Sequence, residues 1–135
     1  MTTFSKPILT LQDAQRVAAA AQAEALRNEW RVVIAIVDDG GHLLYFQRSH
    51  DTQFGSVEIA MQKAHAAVAF KRPTKVMEEA VAGGRLNHLV LPGMLPAEGG
   101  VPLIRGNQII GGLGISGVRS AQDGQIAEAG LSVLG

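Results

Sequence analysis

The chain contains no cysteine, and its 135 residues include only one tryptophan, one tyrosine and four phenylalanines. Without cysteine there is no disulfide framework, no thiol nucleophile and no Cys-type zinc site. Charge of one sign is also missing. Twelve Lys and Arg against twelve Asp and Glu give a formal net charge of zero. No long-range field gathers phosphates, so a nucleic-acid partner is not expected. Long hydrophobic runs are absent too. The longest, residues 32–37, suits a buried strand and falls far short of the ~20 residues a membrane helix needs. Residues 1–6 carry one positive charge and no apolar stretch, so no signal peptide is read and the cytoplasm is the expected location.

What is present is a chain 47% hydrophobic with sixteen glycines. It is too apolar for disorder and long enough to enclose one core, so residues 1–135 read as a single domain. Thr10 precedes an alanine-rich segment ending near Arg27, in which Leu11, Ala14, Val17, Ala18, Ala21 and Ala25 share a face at helical spacing. Residues 32–37 and 42–48 flank Asp38-Asp39-Gly40-Gly41 and read as an antiparallel hairpin. Ser56 is positioned to cap a second helix over about residues 57–71, and Thr74 to open a short third one stopped by Gly83-Gly84. Residues 85–100 look irregular, and such long loops are disproportionately functional. Residues 101–105 and 108–115 form a second hairpin around Gly106-Asn107. Gly111, Gly112 and Gly114 in its later strand point to close backbone approach or a bulge. Ser120 and Asp123 cap a last helix. The order helix, hairpin, two helices, hairpin, helix predicts an α+β fold, an antiparallel sheet covered by helices.

Chemistry has few places to sit. On the second helix Lys63 falls inside the apolar arc, while Glu58, Gln62 and His65 share the opposite face, where His65 is expected to meet solvent or a neighbouring subunit. Either the Lys63 stem packs and its ammonium snorkels to water, or the ammonium points into a cleft and awaits an anionic group. Glu98-Gly99-Gly100 leads into a strand, where paired glycines free backbone N–H groups for a ligand or merely form a tight turn. The four histidines, His42, His50, His65 and His88, show no zinc-ligand spacing, so no metal site is expected. Among them His88, in the irregular loop, is the one best placed to face a ligand. One axial His or Met suffices for haem.

These residues carry a resemblance. Ala35-Ile36-Val37-Asp38-Asp39-Gly40-Gly41-His42-Leu43 with Arg48 beyond, then Ala60-Met61-Gln62-Lys63-Ala64, Arg72-Pro73-Thr74, Gly99-Gly100-Val101-Pro102 and Gly111-Gly112-Leu113-Gly114-Ile115-Ser116-Gly117 occur in order over nearly the whole chain. In that order and spacing the sequence resembles the GlcG/HbpS-like family, also described as haem-binding or haem-degrading. The resemblance implies a profilin-like α+β fold, assembly into homo-oligomers and a haem or other tetrapyrrole ligand. It departs from the pattern at Lys63-Ala64-His65-Ala66-Ala67, where relatives often carry a threonine at the position of Ala66.

Two functional readings stay open. In the first, the protein is a small-ligand-binding accessory of a metabolic pathway. Arg48, Lys63 and the amides of Gly99 and Gly100 receive carboxylates of haem or another anionic metabolite, with His88 or Met94 as axial ligand. In the second it is an enzyme on a small carboxylate- or hydroxyl-bearing metabolite, with Glu98 as acid/base and Lys63 as electrostatic anchor.

Overall fold

Burial along the first hairpin sets the architecture. In strand β1 (Val33–Asp38) every residue from Val33 to Val37 is buried, as a strand covered on both faces requires. Its partner β2 (Leu43–Arg48) has only exposed and partly buried positions, with a bulge at Leu44, as suits an edge. The computed structural model describes residues 2–134; Met1 and Gly135, the ends of the expected domain, lie outside them. Four strands form one antiparallel sheet in the order β2-β1-β4-β3, with β3 at Gly100–Arg105 and β4 at Gln108–Ser116. Pro102 is accommodated because β3 is the other edge.

Helices cover both faces. On one side lie α1 (Leu11–Arg27) and α4 (Ser120–Leu131); on the other lies α2 (Gly55–Ala69), followed by α3 (Thr74–Ala82). The Thr10 hydroxyl accepts the Asp13 N–H at 3.1 Å and starts α1 as expected. Its buried face is Ala14, Val17, Ala18, Ala21 and Ala25. Against that face pack Ile34, Ile36, Leu113, Ile115 and Ile126, all fully buried. Each such side chain contributes about 1.5–3 kcal/mol of transfer free energy.

The α2 face is built differently. A Cβ on Gly114 would lie 1.9 Å from the Ala60 carbonyl oxygen, and one on Gly112 would lie 2.4 Å from that of Ala64. The glycines of β4 therefore serve close backbone approach, one of the two expectations: the helix main chain rests on the strand. Apolar cover here is thin, with Val33, Ala35 and Ala60 buried and Val57 and Met61 beside them.

Three local expectations change. Helix α2 begins at Gly55 without a side-chain cap, and Ser56 is buried, accepting from the Gln53 amide instead. The loop expected over residues 85–100 contains a 3-10 turn at Leu86–Leu89. Helix α4 is entered with the Gln122 side chain accepting the Arg119 N–H, which frees the Asp123 carboxylate for an inward role. Among the described residues no helix is long and apolar enough to cross a membrane.

Candidate functional site

Lys63 neither snorkels nor faces an open cleft. Its side chain is 3% exposed, and its ammonium donates to Asp123 Oδ2 at 3.0 Å and to the Ile115 carbonyl at 2.8 Å. This ties α2 to the end of β4 and the first turn of α4. Asp123 completes its bonding by accepting the Val118 N–H at 3.2 Å. Burial raises the Asp123 carboxyl above the ordinary aspartate range, against the opposing pull of the Lys63 charge and hydrogen bonds. Buried pairs of this kind return little net stability but are costly to break on one side. The ammonium lies so close under Gly99 that a Cβ there would approach it to 2.8 Å.

The Glu98 loop is likewise occupied with its own fold. The Gly100 N–H, expected to be free for a ligand, donates to Thr74 Oγ1 at 2.8 Å. The Gly99 carbonyl accepts the Ile115 N–H at 2.9 Å, and the Glu98 N–H is taken by Glu78 Oε1 at 2.9 Å. The glycines are needed for space and conformation: Gly99 has φ +134°, and a Cβ on Gly100 would lie 2.4 Å from the Lys63 carbonyl oxygen. Glu98 borders a cavity of about 90 Å³ together with Gly99, Gly100 and Gly124, room for a few waters. Lys63 does not line it, and among the described residues no ion pair joins Lys63 to Glu98. The Lys63 ammonium is committed to Asp123 and the Ile115 carbonyl, while the Glu98 carboxylate packs against Gly124.

The remaining candidates separate. His88 is buried in the 3-10 turn, its Nδ1 3.3 Å from Asn87 Oδ1, and it borders none of the clefts described here. Met94 and Gly93 line a cleft of about 270 Å³ with Gln62 and His65. Gln62 and His65 also border a second cleft of about 250 Å³, walled by Val37, Leu43 and Met61. The two form one groove along the solvent side of α2, with His65 at the join. The His65 ring is held against the hairpin turn: a Cβ on Gly41 (φ +83°) would lie 2.7 Å from its Cδ2. Arg48 lies elsewhere, in a concavity of about 690 Å³ with Arg31, His50 and Trp30.

Of the residues expected to meet a ligand, Met94 and Arg48 line clefts, and so do His65, Arg31 and His50, which the sequence reading did not assign to one. A signal for His65 existed: Met61, Gln62 and His65 recur at helical spacing on one side of α2. What they would face, the Gly41 turn, is a tertiary matter.

A helix-covered antiparallel sheet with solvent-open clefts at its margins defines a small α+β protein of ligand-sized concavities. The chain belongs to the HbpS-like family: a family model described as "Haem degrading protein HbpS-like" matches residues 9–132. It is 44% identical to Protein GlcG of Escherichia coli (strain K12), over 83% of this chain and 84% of that protein. The crystal structure of a PduOC:heme complex superposes with a TM-score of 0.83 at 34% identity, covering 93% of this chain and 94% of that one. A double mutant of HbpS from Streptomyces reticuli superposes with a TM-score of 0.88 at 30% identity, covering 98% and 91%.

Proposed function

We propose that this protein holds haem, or a related tetrapyrrole, in the groove along α2, as a small-ligand-binding accessory of a metabolic pathway. The observation that carries this reading is the meeting of His65 and Met94 in one cleft that continues into apolar walls. Imidazole and thioether are both haem-iron ligands, and the apolar pocket around them sets access and potential. The residues therefore fit the group: His65 and Met94 are the axial candidates, with Val37, Leu43 and Met61 as the apolar lining. That lining carries no lysine or arginine and includes the Glu58 carboxylate, so the propionates would extend into water away from it. The bound group would supply iron-centred redox or ligand chemistry; this chain supplies the walls and the axial atoms. The haem complex of the PduOC relative supports the reading.

In this proposal the chain is one domain of a cytoplasmic homo-oligomer. Leu86, Leu89 and Val90, in the same loop as Met94, are 61–77% exposed, an apolar patch of the kind association buries. Light scattering that returns a monomer would remove the oligomer from the proposal. Hemin titration followed at the Soret band tests the binding. A saturable shift is expected, weakened at least about tenfold in His65→Ala and altered in spectrum in Met94→Ala, while His88→Ala leaves it unchanged. Absence of a saturable shift, or one identical in both the His65 and Met94 variants, would overturn the site.

A further inference from the structure

A concavity of about 690 Å³ lies at the opposite end of the first hairpin from the Gly41 turn. Its volume falls in the range of small-molecule sites. Strand register builds it. Val33 pairs with Arg48, and the Ser49 N–H donates to the Val32 carbonyl at 3.1 Å. Extending that register sets Arg31 across from His50, and Arg31 Nη1 lies 3.0 Å from His50 Nε2. Arg48 closes β2, and His50 follows in the turn just beyond it. Arg31, Arg48 and His50 line one cleft together with Leu26 from the C-terminal end of α1 and Trp30 just after it.

Charge in this cleft is unbalanced. Glu29 is its one acid. The arginine ion pairs among the described residues use Arg16, Arg27 and Arg105, never Arg31 or Arg48. The Gln47 amide is spent within the wall, donating to Gln22 Oε1 at 3.1 Å and accepting from Tyr45 at 2.9 Å. Recognition therefore falls to the two guanidiniums, whose planar forks match carboxylates. The Asp51 carboxylate lies 4.0 Å from the same His50 Nε2 that Arg31 approaches, at the solvent edge of the cleft.

We infer that this cleft is a second ligand site, separate from the α2 groove, for an organic anion bearing one or two carboxylates on a short apolar body. Arg31 and Arg48 hold the carboxylates, and Trp30 and Leu26 face the apolar part. Trp30 is the chain's one tryptophan, so its fluorescence reports on the site directly. Glutarate, its neutral analogue glutaramide and inorganic phosphate are the probes. Glutarate is expected to change Trp30 emission saturably, and more weakly as salt is added. Glutaramide and phosphate should bind at least about tenfold more weakly, as should glutarate to Arg31→Gln and to Arg48→Gln. Both variants are surface changes, and circular dichroism verifies their fold. No saturable change up to about 10 mM glutarate, equal binding of glutaramide, or equal binding by both variants would overturn the site. Phosphate binding as tightly as glutarate would overturn the assignment of an apolar body. Hemin binding distinguishes this inference from the haem proposal. It should survive in Arg31→Gln, and its loss there with retention in His65→Ala would make the cleft the haem site instead.

Discussion

The two faces of the sheet are covered by different means. Toward α1 and α4 the strands present Ile34, Ile36, Leu113 and Ile115, interlocked with an alanine-lined helix. Toward α2 they present Gly112 and Gly114, and helix backbone rests on strand backbone. The first face is held by side-chain volume and tolerates small changes of shape. The second is held by the absence of side chains and has no slack. The difference also explains where polar chemistry can be buried. A layer too thin for large apolar side chains leaves the middle of α2 to be fixed by a charge, and the Lys63–Asp123 pair does that.

One added carbon on the thin face should outweigh one removed from the thick face. Gly114→Ala places a methyl 1.9 Å from the Ala60 carbonyl oxygen and must lift α2 bodily. A loss of about 4 kcal/mol or more is expected in denaturant unfolding, and a loss below about 1 kcal/mol would mean that the helix can shift freely. Lys63→Met should cost about 3 kcal/mol, because it strands the buried Asp123 carboxylate. Adding Asp123→Leu should recover most of that loss, and failure to recover it would show the pair to be worth more than its desolvation. Ile36→Val, on the thick face, should cost about 1 kcal/mol; a value near that of Gly114→Ala would erase the contrast.

The smallest effect belongs to the hairpin turn outside both faces. Asp38 Oδ1 accepts the Gly40 N–H at 2.9 Å and the His42 N–H at 3.0 Å. The His42 backbone bond is the main cause that holds this carboxyl below the ordinary aspartate value. A folded-state value lower than the unfolded one gives stability that is present above the unfolded pKa and lost as pH falls through the folded one. Asp38→Asn should therefore be slightly less stable than the parent at neutral pH and lose less on acidification below about pH 4. Acid titrations followed by circular dichroism compare the two, and parallel curves would contradict the shift.

The strands and helices were legible because periodicity and turn chemistry are local. Thr10 capping α1, the Asp38–Gly41 turn and the order of elements are encoded within a few residues of each position. The close approach signalled by the β4 glycines was also legible, as one of two expectations. Lys63 was visible as an anomaly in an apolar arc, but its partner lies 60 residues away. Sequence offered Glu98 and a free Gly100 amide in its place. His88 drew attention because it sits in a loop, yet the loop folds a 3-10 turn over it. His65 was assigned to a polar face, and only the approach of Gly41 shows what that face meets.

By itself the sequence determined the α+β order of elements, the hairpins and the family, since all three rest on residue types at short, fixed spacing. Tertiary structure alone decided which charges are used up and which are left facing a cleft. Lys63 is neutralised from across the molecule, whereas Arg31, Arg48 and His50 line a cleft at the end of the first hairpin. The physical reason is that charge compensation and cleft formation depend on distances between segments remote in the chain, and no local pattern of residues records those distances.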